Sequence, residues 1–200
     1  YPRMGLFQPD FIYVIFRATL PSKYNRYDGE IRTATNAWLK DPVAAEVKYG
    51  HISKWNTSKV TNMFNLFSGK DFDNDNDDIS KWDVSNVTNM RKMFFSAHVF
   101  GKDISQWNVS KVTTMEEMFG ESSFNGDISK WNVSKVTDMR HMFWEAGYFD
   151  ADISGWDVSS VTKMSSMFHR ADSFNREYIS DWDVSGVTDM EWIFKFRMTL

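Results

Sequence analysis

Asp127 to Phe143 reads DISKWNVSKVTDMRHMF, and the rest of the chain is organised around that phrase. It recurs as HISKWNTSKVTNMFNLF from His51, DISKWDVSNVTNMRKMF from Asp78 and DISQWNVSKVTTMEEMF from Asp103. DISGWDVSSVTKMSSMF from Asp152 and YISDWDVSGVTDMEWIF from Tyr178 complete six copies. The anchor tryptophans are Trp55, Trp82, Trp107, Trp131, Trp156 and Trp182, spaced by 27, 25, 24, 25 and 26 residues. All length variation falls in the connectors, which is how a stacked repeat reads. The columns also account for a biased composition of 12 Met, 9 Trp and 17 Phe. Two columns take most of the methionine, one takes the anchor tryptophans, and Phe closes each phrase and recurs in the connectors.

Within one copy, Ile128, Trp131 and Val133 follow the L-x-x-L-x-L spacing of a leucine-rich-repeat unit. Trp131 and Val133 alternate with Lys130, Asn132 and Ser134, a period of two that predicts a short strand. Val136, Met139, Met142 and Phe143 then fall on one face of a short helix, with Thr137 as its N-cap. Thr113 with Glu116 and Thr188 with Glu191 have capping-box spacing. The expected fold is therefore an α/β repeat: a leucine-rich-repeat-like solenoid, with short parallel strands on one face, short helices on the other and an N-terminal capping segment.

The phrase F-N-x-D-I-S-x-W-N/D-V-S-x-V-T-x-M-x-x-M-F resembles the BspA-like leucine-rich repeats. The likeness is to their Trp/Met-rich variety in surface lipoproteins of wall-less bacteria and in microalgal and protist proteins. It covers His51 to Phe194. The stretch from Ala37, AWLKDPVAAEVKYGHISKWNTSKVT, is similar to the entry segment of microalgal members. The resemblance implies adhesive or protein-binding roles and a cell-surface or organelle-lumen setting, an algal plastid among them.

Residues 1–50 stand apart as a capping segment, and residues 51–200 form the repeat unit. In GEIRTATNAWLK, Ile31, Ala34, Ala37 and Trp38 line one helical face that ends before Asp41-Pro42. A further helical turn over Pro42–Tyr49 is expected, as is a strand in FIYVIF, Phe11–Phe16. At the other end Trp192, Ile193, Phe194 and Phe196 read as an uncovered apolar surface.

The chain has 200 residues, 42% apolar and 25% charged, ordinary for a folded domain. No run approaches the ~18 apolar residues of a membrane span. A net charge of −4 argues against general nucleic-acid binding, and the absence of cysteine removes thiolate chemistry. No nucleophile elbow, zincin, P-loop or dinucleotide motif occurs, so the chain reads as non-catalytic and without a cofactor.

Asp71, Asp73, Asp75 and Asp77 alternate as a Ca²⁺ loop begins, and are the candidate metal ligands. Asn76 stands where an EF-hand needs Gly, and the plain reading is a solvated acidic connector. The Asp78, Asp103, Asp127 and Asp152 column reads as turn closure. Asn56, Asn86, Asn108 and Asn132 open sequons, three of them a by-product of the repeat phrase. The threonine column from Thr61 to Thr188 reads as helix capping rather than an ice-binding array.

The outward positions carry Lys54, Lys81 and Lys130 in one column, and Lys59, Lys111 and Lys135 in another. Copies five and six are neutral to acidic there, with Gly155, Asp181, Asp157 and Asp183. This polarised face is the candidate docking surface, since complementary charge orients partners. The expected function is a protein-binding or scaffolding module, an accessory subunit of a larger assembly. A surface adhesin binding a protein or glycan is the alternative.

Overall fold

A computed structural model describes residues 23–71 and 77–195. FIYVIF, Phe196 and the connector positions Asp73 and Asp75 lie outside the described residues. Two α-helices come first, α1 (Asp28–Lys40) and α2 (Pro42–Tyr49). The expected face of α1 is present: Ile31, Ala34 and Trp38 are buried, with Ala37 partly buried beside them. Asp41 is extended, as a residue before proline must be, which ends α1. Its carboxylate then accepts from Ala44 N at 3.0 Å, and Pro42 at the first turn loses no bond, so α2 starts at once. Gly50 ends α2 at φ +72°, where a Cβ would lie 2.1 Å from the Tyr24 ring.

The leucine-rich-repeat-like solenoid with parallel strands and outer helices is not what the chain forms. Among the described residues there is no strand and no sheet, and both α-helices precede the repeats. Each copy is instead a run of β-turns. In the fourth copy, Ile128 O accepts from Trp131 N, Val133 O from Val136 N, Met139 O from Met142 N and Phe143 O from Ala146 N, at 2.8–3.2 Å. In this copy the first and last residue of each turn are apolar and buried, while the middle residues are at least partly exposed and, Trp144 apart, polar.

This explains the misread period. Apolar steps of three arise from turn closure as readily as from a helix. Met139 with Phe143 and Met142 with Ala146 even supply the four-residue spacings of a helical face, so spacing alone does not separate the two. His141 and Glu145, third in their turns, sit at φ 57° and 54°, the sign a type II turn requires there. The equivalent positions in the other copies repeat this, from Asn65 and Lys92 to Arg170 and Trp192.

Successive copies are nonetheless tied together, through the segment expected to be helical. Met139, His141, Phe143 and Glu145 donate N–H to Lys163, Ser165, Met167 and His169 O, at 2.8–3.0 Å. The intervening amides close the local turns. Left-handed residues at 141 and 145 keep this ladder from becoming extended strand, so only single parallel bridges form, such as Asp138 with Lys163. Thr137 is no helix cap: its N–H and Oγ1 both donate to Thr113 O of the preceding copy, at 2.9 and 3.2 Å. The same pairing links Thr61, Thr88, Thr113, Thr137, Thr162 and Thr188 in series.

Side chains complete the junctions. Trp131 Nε1 donates to Ile104 O at 3.1 Å, and Trp82, Trp107, Trp156 and Trp182 do likewise to the isoleucine one copy back. Each indole thereby buries its ring with its one donor satisfied. Phe67, Phe94, Phe119, Phe143, Phe168 and Phe194 stack at centroid spacings of 5.5–5.8 Å. The core therefore runs the length of the stack as aromatic and methionine columns.

Helix α1 closes the first copy by imitating a neighbour. The Asp28 carboxylate accepts from Thr61 N, Asn62 N and Thr61 Oγ1, where inner copies offer a threonine carbonyl. Arg32 Nη2 donates to Phe64 O at 2.5 Å, taking the place of a preceding amide. Tyr24 and Arg26 exchange backbone bonds with Asn56, a single parallel bridge centred on Asn25.

Candidate functional site: lysine columns and the N-terminal cleft

Lys54, Lys81 and Lys130 are each third in the Ile-Ser-Lys-Trp turn. Lys59, Lys111 and Lys135 hold the same place in the following turn. A turn's third residue points away from the apolar corners, and all six lysines are exposed. They stand on turn corners, not on a sheet face. The inter-copy bonds hold each column in register along the stack. Lys111 Nζ donates to Asn86 Oδ1 of the preceding copy at 2.6 Å, and Lys59 Nζ lies 5.4 Å from the Tyr27 ring centroid.

The polar columns beside them shape the backbone. Asp78, Asp103, Asp127 and Asp152 each accept from the serine N–H two residues on, at 2.9 Å. Asn56, Asp83, Asn108, Asn132, Asp157 and Asp183 do the same one turn later. These are Asx turns, which preset the chain for the β-turn that follows. Hydrogen bonds from Ser129 hold the Asp127 carboxyl below its ordinary value, and serine bonds act likewise at Asp78, Asp103 and Asp152. Of the sequon residues, Asn56 and Asn86 commit Nδ2 to Asn25 and to Ser58 O.

The acidic connector is anchored to the protein at both described ends. Asp71 accepts from Val99 N at 3.1 Å, and Asp77 is buried, accepting from Trp38 Nε1 at 2.6 Å. Among the described residues no group of three His, Asp or Glu is placed to hold a metal ion. The scattered histidines do not converge either. A charge ladder absent from the sequence reading runs along the Met-x-x-Met turns. Arg91 pairs with Glu116 at 2.9 Å, Lys92 with Glu117 at 3.0 Å, and Arg140 with Asp138 at 2.7 Å and Glu116 at 3.5 Å. Its members neutralise one another and cross-link copies two to four.

A concavity at the N-terminal end had no counterpart in the repeat columns. Lys23, Arg26, Tyr27, Gly29, Glu30, Lys48 and Tyr49 line it, between the start of α1 and the end of α2. Arg26 is only 3% exposed. Its guanidinium lies 4.5 Å from the Trp55 ring and 5.3 Å from that of Tyr49, and it donates to Asn25 O and Tyr49 O.

Comparison with known families matches residues 40–133 and 120–199 to a single model. The chain belongs to the family described as Mycoplasma protein of unknown function, DUF285. No curated protein and no solved structure matches it. The two DUF285 matches overlap across the junction of copies three and four and between them take in every copy of the phrase. Among the described residues, this DUF285 chain has no helix long and apolar enough to cross a membrane.

Proposed function

We propose that this DUF285 chain is a non-catalytic protein-binding or scaffolding module, an accessory subunit that docks to other proteins. The observation that carries the reading is the pair of lysine columns. Six cations sit exposed on turns whose backbones are held by Asx turns and inter-copy bonds. An ordered backbone removes the cost of arranging the six attachment points on binding and leaves only that of the side chains. Copies five and six carry Gly155, Asp181, Ser160 and Gly186 in these columns and no lysine, so the charge has a direction along the stack. An acidic partner surface would be oriented by it.

The resemblance of the phrase to BspA-like surface proteins favours a second reading, a surface adhesin. Asn108 and Asn132 support it to the extent that both are exposed sequon positions.

The test is native mass of the chain in a gentle extract of its source, with cross-linked neighbours mapped. A stable larger assembly is expected, with cross-links from the six lysines. A variant with all six changed to alanine should melt like the parent and lose partner binding by about tenfold or more, roughly a rim-charge effect summed over the columns. Unchanged binding by that variant would refute the reading.

A further inference from the structure

The N-terminal cleft holds a buried cation that the protein does not fully balance. Burial lowers the Arg26 pKa, opposed by Glu30 and Tyr49. Among the described residues no carboxylate lies within ion-pair distance of it. Nη1 and Nη2 bond to carbonyls, whereas Nε is buried with no hydrogen-bond partner. An uncompensated buried charge is costly, and an anion near it would recover that cost.

The cleft around Arg26 suits such an anion. Lys23 and Lys48 stand exposed on its rim. The thirteen-residue α1 begins there, and its N-cap residue Tyr27 makes no side-chain capping bond. Of the first-turn amides, those of Glu30 and Ile31 already donate to Tyr27 O, which leaves the Gly29 amide and the positive end of the helix beside the two lysines. Asp28, the first helical residue, is turned away to the Thr61 and Asn62 amides, leaving Glu30 as the carboxylate lining the cleft. Tyr27, on the cleft wall, is also the ring beside Lys59, so the cleft adjoins the lysine columns.

We propose that this cleft binds a carboxylate carried on an acidic segment of the partner protein, anchoring the segment that the lysine columns attract. The proposal rests on the docking reading above. Lys23 and Lys48 make the direct contacts, together with the Gly29 amide. Arg26 supplies charge from beneath the floor.

The test uses the full chain, a blocked hexaglutamate peptide and, separately, inorganic phosphate, at constant ionic strength. The readouts are the amide signal of Gly29 and the indole N–H signal of Trp55. The peptide should shift both signals saturably. A Lys23→Ala, Lys48→Ala double variant should bind it about tenfold more weakly while melting like the parent. The six-lysine column variant should still shift both signals. No saturable shift, equal binding by the double variant, or saturation by phosphate alone would overturn the proposal. So would loss of the shifts in the column variant only, an outcome that leaves the docking reading standing. Failure of the docking reading shows separately, as unchanged partner binding by the column variant.

Discussion

Trp131→Ala should lower the stability of the protein by about 3–5 kcal/mol, the range for removing a large buried aromatic side chain. Trp131 is 3% exposed in the middle of the stack, against Phe119 at a centroid distance of 6.2 Å. Three losses combine. The ring's apolar area returns to water in the reference cycle. A cavity opens between copies three and four that turn-bound backbone cannot collapse to fill. Ile104 O also loses its indole donor and keeps only the turn bond from Trp107 N, a net hydrogen-bond loss of about 0.5–1.5 kcal/mol. Trp131→Phe should recover the first two losses in part and none of the third. Lys130→Ala, one residue away but exposed on the turn, should stay within about 0.5 kcal/mol of the parent. Urea unfolding of the three variants checks the order. Equal effects at 130 and 131 would invert the assignment of inward and outward positions.

Acid should destabilise the protein below about pH 4. Nine aspartates have folded-state pKa values below the ordinary 3.8: Asp28, Asp78, Asp83, Asp103, Asp127, Asp138, Asp152, Asp157 and Asp183. At Asp28 burial raises the pKa, but the bonds from Thr61 and Asn62 outweigh it. At Asp138 burial is again opposed, by Arg140 and Lys163. At the others, Asx-turn bonds from serine dominate. Each depressed value means that the native state binds fewer protons than the unfolded chain just below pH 4. Stability from these groups is therefore complete above the unfolded carboxylate pKa and lost as pH falls through the folded values. Several exposed sites are screened, so each contributes modestly, but they act in the same direction. Thermal melts between pH 6 and pH 2.5 should show a plateau above about pH 5 and a steep fall below about pH 4. A melting temperature flat through that range would refute the account of the aspartate columns. Asp127→Asn retains the accepting Oδ1 and should soften the acid fall slightly without changing the neutral-pH fold.

The buried columns were legible because the repeat prints them six times. Ile, Trp, Val, Met and Phe recur at fixed offsets, and each of those positions in the fourth copy is buried. The α1 face was legible because Ile31, Ala34 and Trp38 have helical spacing and Pro42 marks the stop. The local structure of the copies was not. Val136, Met139 and Met142 are three apart whether the chain closes helical turns or β-turns. What separates the two is the sign of φ at His141 and Glu145, and neither residue type announces a left-handed conformation. Asp127 and Asn132, each two residues before a bonded amide, were the better signal, since Asx turns favour β-turns over helices. The threonine column was misassigned for the same reason, because a cap requires a helix. Arg26 was invisible: its burial depends on Trp55 and Tyr49 meeting around it, and nothing in KYNRYDG reports that.

Scalar coupling across the hydrogen bonds of the fourth copy tests the turn-stack account most directly. In a ¹⁵N,¹³C-labelled sample, His141 N should couple to the carbonyl of Ser165, and Met142 N to that of Met139. Thr137 N should couple to the carbonyl of Thr113. Couplings from Met142 and Phe143 back to residues four earlier would instead place a helix in each copy, and the account of the repeat as linked β-turns would be wrong.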